Sequence, residues 1–330
     1  MGTEDLSAIY TLLDIAKTHN NKVELEVAKV LHRKNGVLRF SNFEQANQLT
    51  SHIFSKEVGL PSGTERGVNE ATTAEKPQNG QGTESLSYIE SRSEIDILMQ
   101  KIKGAGFAGW RFKRDMQHSE GLGQAVVNKL FYGTGAAGKL RGLTTRYGAL
   151  ALDNVHSAGG AVSLANTSLW VVQPGPEMFS LLYGEDGQPG APNEYSGGFI
   201  RMMDMGIEFI IANTTTGAGL HKFVTLFDAF MGLCVYDDRA VQRLCNINTT
   251  TGAGEVDPDQ VIYMIESLPD PEGEKVIYVN RIGKYQLKKN VVNKTLWSVE
   301  PDRYGVMRDM FYGVPLVLTE GITNVEAVVS

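Results

Sequence analysis

The chain has 330 residues, 42% of them hydrophobic and 21% charged, with 36 glycines and a formal net charge of −7. That length predicts two domains or one elaborated one, and it buries a sizeable core without staples. The composition excludes a disordered chain, a collagen and a coiled coil, and the total charge excludes a chain that is basic as a whole.

Residues 4–17 read as an amphipathic helix, with Leu6, Ile9, Tyr10, Leu13 and Ala16 at helical spacing and Glu4 and Asp5 in the first turn. Val23, Val27, Val30 and Leu31 predict a second short helix that stops at Asn35-Gly36. The pair is too thin to form a core alone and reads as an arm that packs on something else. Residues 36–92 are polar, and Val68 is the one large apolar residue of the stretch 67–85. Flanking runs near 50–58 and 83–91 read as strands. A long two-stranded excursion with a polar tip follows, marginal alone in water and expected to order on a neighbour.

Ser93-x-x-Asp96 has capping-box spacing and predicts a helix start, with Ile95, Leu98, Met99 and Ile102 as its apolar stripe. Gly104, Gly106 and Gly109 interrupt it, and Phe112, Met116, Gly123, Val126, Val127 and Leu130 resume the period to about Tyr132. Residues 133–148 read as a loop. Residues 168–173 predict a buried strand, 185–198 an acidic Pro/Gly-rich loop and 199–212 an extended segment. Phe223 to Leu233 reads as a helix with Phe223, Leu226, Phe227, Phe230 and Met231 as its stripe. Residues 276–280 predict a strand followed by a helix through Leu287, and 314–318 a further strand. The heptapeptide NTTTGAG at 213–219 and 248–254 reads as two loops bounding a helix.

No chemical motif survives a close reading. GTGAAGKL (133–140) nearly matches a phosphate-cradling loop, but Leu140 stands where the metal-binding hydroxyl belongs and the segment follows a helix rather than a strand. A glycine-rich turn is the better reading. His118-Ser119-Glu120 has the H-x-E spacing of zinc deaminases without the downstream P-C-x-x-C. Asp237-Asp238, Asp257/Asp259 and Asp270/Glu272/Glu274 read as solvated loop charge. Cys234 and Cys245 stand outside any CxxC spacing and suit buried apolar positions. The expectation is no catalytic residues, no cofactor and no metal, with neither a signal peptide nor a membrane span.

Charge is unevenly spread. Net charge is +1 over 1–40, −5 over 41–100, +7 over 101–150, −13 over 151–274 and +3 over 275–330. The basic block holds Lys101, Lys103, Arg111, Lys113, Arg114, Lys129, Lys139, Arg141 and Arg146. Such an excess self-repels without a partner. Two partners are open: packaged nucleic acid, or the acidic 41–100 arm of another copy.

Several segments in fixed order carry a likeness. They are VGLPSG…ERGVNEATTAEK…TESLSYIESRSEID (58–96), LFYGTG…LRGLTTRY, TSLWVVQPGPEMFSLLYG (167–184), KVIYVNR (275–281) and FYGVPLVLTEGITNVEA (311–327). Together they resemble the major capsid proteins of tailed bacteriophages, the HK-ninety-seven-type shell fold, and most closely those of short-tailed phages. The resemblance implies an α+β fold with residues 1–35 as an N-arm and 36–92 as an extended β-hairpin E-loop. Residues 93–213 would form a peripheral domain with a spine helix over 93–132, and 214–330 an axial domain. It implies a non-enzymatic subunit that self-assembles as hexamers and pentamers of an icosahedral shell around double-stranded DNA. The shell would assemble in the bacterial cytoplasm and leave in the virion, with cement, scaffolding and portal proteins as further partners and no membrane. Glu65, Arg66, Glu70, Glu75, Lys76 and Glu84 would then be inter-subunit residues of the E-loop. Lys101, Lys103, Arg111, Lys113 and Arg114 would face a neighbouring E-loop or DNA. An encapsulin-like compartment, which shares the fold, and a phosphate-loop enzyme are the alternatives.

Overall fold

In the computed structural model, residues 35–59, 61–136, 138–184, 201–211, 217–250, 252–291, 296–301 and 305–330 are described. The expected helices over 4–17 and 23–31 and the expected loop over 185–198 lie outside them. In chain order the first elements are α1 (Gly36–Phe40), β1 (Asn42–Gln45), β2 (Ser51–Gly59), β3 (Gln78–Ser85), β4 (Ser87–Asp96) and α2 (Leu98–Lys103). A 3-10 turn (Gly104–Gly106) leads into α3 (Phe107–Tyr132), then α4 (Leu143–Arg146), β5 (Val155–Ser157), β6 (Asn166–Val172) and β7 (Phe179–Tyr183). The rest are β8 (Arg201–Ile211), β9 (Gly219–Val235), β10 (Val241–Asn248), α5 (Pro258–Glu266), β11 (Val276–Val279), α6 (Arg281–Asn290), β12 (Trp297–Pro301), β13 (Met307–Phe311) and β14 (Val314–Leu318).

The run NTSLWVV folds as β6 because both of its faces are covered, and all seven residues are buried. It lies inside a seven-stranded sheet of order β12-β13-β14-β11-β6-β10-β5. Its alternation divides two cores. Leu169 and Val171 pack with Val261, Met264 and Ile265 of α5 and Leu287 of α6. Trp170 and Val172 pack with Val127, Leu130 and Phe131 of α3. Both helices of the first core start on side-chain caps: Asp257 accepts from Asp259 N at 3.1 Å ahead of Pro258, and Asn280 accepts from Gly283 N at 2.8 Å.

The second sheet runs β1-β7-β9-β4, with β8 also paired to β9. The spine helix α3 bridges the two sheets. Its first turns lie on the second sheet, where the Phe107 and Phe223 rings meet at 5.1 Å and His118 stacks on Phe227 at 6.1 Å. Its last turns lie on β6 and β11, where Phe131 meets Trp170 and Tyr278 at 6.1 and 6.3 Å. Truncating Phe131 to Ala would cost about 3–5 kcal/mol, the range for a buried aromatic.

The structure corrects four expectations. Phe223 to Leu233 is part of the 17-residue strand β9, not a helix. Phe227, Ala229, Met231, Leu233 and Val235 all point into one core cluster, which is period two, and ladders to β4 and β8 occupy both edges. The two NTTTGAG copies therefore bound strands. Second, Ser93 and Asp96 lie in β4, whose inward Ser93 and Ile95 alternate with outward Arg92 and Glu94. The helix starts at Leu98, whose N–H donates to Asp96 Oδ1 at 2.8 Å, and Leu98 and Ile102 are exposed. Third, the segment 36–92 is not all excursion: β1 pairs in parallel with β7 and β4 pairs with β9, leaving β2 and β3 as the hairpin. Fourth, a boundary at 213/214 divides β8 from β9, which pair over ten positions, and the seven-stranded sheet draws β5 and β6 from ahead of it. The two sheets interleave along the chain.

Candidate assembly and nucleic-acid surfaces

The β2–β3 hairpin is fixed at its base and bare at its end. Leu86 N donates to Thr50 O at 2.9 Å where the chain passes from hairpin to β4. Phe54 meets the Tyr236 ring edge-on at 5.2 Å, and the Tyr236 hydroxyl donates to Glu44 Oε2 at 2.7 Å. His52 is buried beside them, with Nε2 at 3.1 Å from the same hydroxyl. Burial holds its imidazole below the ordinary value, against the opposing pull of Glu44 and Glu84. Burial and the Glu44 hydrogen bond push the Tyr236 hydroxyl far up, so it stays a neutral donor. Buried Cys234 is pushed up to about 12 and is an inert thiol.

Two ion pairs complete the anchor. Arg146 of α4 holds Glu84 of β3 with two hydrogen bonds of 2.6 and 2.5 Å, and the two side chains are 9% and 14% exposed. Lys56 of β2 pairs with Asp238, which also accepts from the Tyr147 hydroxyl at 3.1 Å. Asp238 is solvated, as expected of a loop charge, and it also has these two partners. Beyond Lys56 an open groove, lined by Ser55, Pro77 and Asn79 on one side and Glu177, Tyr236 and Asp237 on the other, separates the hairpin from the body. Residues 61–79 are exposed throughout.

The expected E-loop residues divide accordingly. Glu65, Arg66, Glu70, Glu75 and Lys76 lie on the bare tip, where Glu70 Oε2 accepts from Gly67 N at 2.9 Å and Glu75 Oε2 from Gly63 N at 3.1 Å. Glu84 does not belong with them: it is taken up inside its own chain by Arg146. Sequence reasoning missed the anchor residues His52, Lys56, Tyr236 and Asp238. The one signal for it is the pair of rings at His52 and Phe54, two positions apart and so on one face of a strand.

The basic spine residues also divide. Arg111 is an internal residue that donates to Asp204 Oδ1 at 2.6 Å and to Thr225 Oγ1 at 2.9 Å and lies over the Phe223 ring. Lys101, Lys103, Lys113 and Arg114 are exposed, and none has a carboxylate partner among the described residues. None of the six residues of α2 is buried, and Gly104, at φ 51°, sets the kink into α3. Lys103 and Arg114 both lie on the Trp110 ring, at 5.6 and 5.7 Å from its centroid.

GTGAAGKL forms a closed turn: Gly135 N donates to Leu140 O at 3.0 Å and Gly142 N to Gly133 O at 2.9 Å. Gly133, Gly135, Lys139 and Leu140 all donate their N–H groups within the chain. His118 contacts Ser91 Oγ at 3.1 Å and faces no metal cluster among the described residues. Among those residues no helix is long and apolar enough to cross a membrane.

The family profile described as "Major capsid protein GP7" matches residues 19–330. Among solved structures, that of bacteriophage Epsilon15 matches with TM-score 0.57 and 18% identity over 88% of this chain and 88% of its own. The bacteriophage JBD30 capsid matches with TM-score 0.51 and 9% identity over 88% and 90%. At these identities the likeness shows the fold alone. An encapsulin complex from Synechococcus elongatus PCC 7942 reaches TM-score 0.40 at 12% identity over 65% and 88%, which carries no argument. A search of curated proteins finds no match.

Proposed function

The chain belongs to the Major capsid protein GP7 family and is a shell-forming capsid protein of the HK-ninety-seven-type fold, and from that premise we propose how its copies join and what they enclose. The copies close an icosahedral shell of hexamers and pentamers, in the host cytoplasm, around the double-stranded DNA of a tailed bacteriophage. One observation carries the mode of joining: a hairpin held firmly at its base exposes every residue from 61 to 79. Such a tip gains buried surface when a second copy receives it. Each overlap is weak, but a closed lattice sums many of them.

On this reading Glu65, Arg66, Glu70, Glu75 and Lys76 are contact residues between copies. The second sheet with α3 is the peripheral part, and the seven-stranded sheet with α5 and α6 is the axial part. The residues described act by packing, anchoring and contact, and no catalytic role is assigned to any of them. Nothing in these surfaces favours an enzyme-cargo compartment, and the self-closed GTGAAGKL turn leaves a phosphate-loop enzyme without a site.

Electron microscopy of the particles formed by the full chain, with a nuclease-protection assay on particles from infected cells, tests the proposal. Closed icosahedral particles with five- and six-fold capsomers and protected duplex DNA are expected. Dispersed subunits, or closed shells that protect no DNA, would contradict it.

A further inference from the structure

The acidic count of residues 41–100 suggests a partner for the basic spine, and the structure takes up part of it within the chain. Glu84 is held by Arg146. Glu44 accepts from the Tyr236 hydroxyl. Glu94 is shared by Arg92 and Lys222, at 3.1 and 2.8 Å. These groups are neutralised or occupied inside one chain. What the hairpin offers a neighbour is its tip, where Glu65, Glu70 and Glu75 stand against Arg66 and Lys76, a net of −1. Two of those three carboxylates already accept N–H groups of the tip itself. The tip is close to neutral and is a poor counter-charge for a cationic ridge.

The ridge itself is unspent. Lys101, Lys103, Lys113 and Arg114 are exposed without a carboxylate partner among the described residues, while the nearby Asp115 is buried and faces Thr225, whose hydroxyl donates to it at 3.2 Å. Lys103 and Arg114 both contact the Trp110 ring. A duplex presents one phosphate per ~1.7 Å of its axis, so cations gathered on both sides of the Gly104 kink meet several phosphates at once. Arg114 and Trp110 edge an open cleft that Glu94 and Asp96 also line, while Lys101, Lys103 and Lys113 stand outside it; exposed cations on an open surface suit a uniform, sequence-independent anion.

We propose that Lys101, Lys103, Lys113 and Arg114 form a contact for the phosphate backbone of duplex DNA and not a seat for a neighbour's hairpin. The proposal rests on the reading of the chain as a DNA-enclosing shell subunit and names which of its surfaces meets the DNA. It predicts no base preference and a strong dependence on salt.

The test uses the full-length chain, kept dilute and unassembled, and a fluorescent 30-base-pair duplex titrated between about 50 and 200 mM salt. In the K101A/K103A/K113A/R114A variant the slope of log affinity against log salt should fall by about 3–4, roughly 0.9 for each phosphate left without its cation. K101R/K103R/K113R/R114K should restore it. Leu98→Ser with Ile102→Ser, which keeps every charge on α2, should leave it unchanged. Shells of the four-alanine variant should form as the unaltered chain's do. An unchanged slope in that variant would overturn the proposal, and so would loss of its shells with duplex binding intact, which would make the ridge a contact between copies. Failure of the underlying reading is separate: the unaltered chain itself would then form no DNA-protecting shells.

Discussion

The Arg146 guanidinium closes on the Glu84 carboxylate through two parallel hydrogen bonds, tying α4 to the last residues of the hairpin within one chain. A fork of this kind fixes orientation as well as distance. It makes the base of the hairpin part of the body, whatever the tip later touches. Glu84→Ala or Arg146→Ala should each lower the stability of the unassembled subunit by about 3 kcal/mol, since each leaves a largely buried charge alone. The double variant should be much less than additive, with a coupling of about 1–3 kcal/mol in a denaturant double-mutant cycle.

His52 makes the same region sensitive to pH. Burial depresses its native pKa, so below about pH 6.5 the unfolded chain binds a proton that the native hairpin base refuses. Stability attributable to this site is full above pH 6.5 and declines as pH falls toward the lowered native value. Thermal melts at pH 7.5 and 5.5 should show this loss, and His52→Gln should reduce the difference between the two. The comparison between the two proteins isolates His52.

The turn over 133–142 should respond to its flanking glycines and not to its lysine. A Cβ on Gly142 would stand 2.7 Å from Phe131 O, and one on Gly133 would stand 2.5 Å from Leu140 O. Both contacts are with backbone, which cannot turn aside. Gly142→Ala should therefore cost about 3 kcal/mol, the upper range for overpacking. Lys139→Ala, at an exposed position, should leave both melting temperature and the response to added ATP unchanged.

A second internal pair holds the chain's end. Arg243 of β10 and Glu326 are 3% and 5% exposed and lie 2.9 Å apart, and Glu326 also accepts from Ser168 and Tyr132, each at 2.5 Å. Burial and Glu326 push the Tyr132 hydroxyl far up, so it remains a donor. Glu326→Ala should cost about 3–5 kcal/mol by stranding Arg243 beside Trp170. Glu326→Gln should cost less, because the amide oxygen still accepts. Denaturant melts of the two variants check the order.

Much of the fold was legible in the sequence where a short apolar run is bounded by turn residues. β6, β8, β11 and β14 fall within two residues of their expected spans. β9 was not legible, because its run is apolar at both parities and a helical stripe can be drawn through it as easily as a strand. Only the presence of β4 and β8 on its two edges decides the matter. The capping-box match at Ser93 was a coincidence of spacing inside a strand. The hairpin was legible from its polarity, but its anchor was not. Glu84 and Arg146 are 62 residues apart and Lys56 and Asp238 are 182 apart, so net charge by segment counted as free what the fold had already paired.

Joining of one copy to the next rests on the bare hairpin tip. Replacing residues 60–77 with Asn-Gly closes β2 and β3 with a two-residue turn and leaves Lys56, Glu84 and the rest of the anchor in place. Electron microscopy and sedimentation of this variant beside the unaltered chain measure the role of the tip. If the tip joins the copies, the shortened chain is a soluble subunit with an unchanged melting temperature that forms no closed shells. Shells of normal size and number from the shortened chain would contradict it.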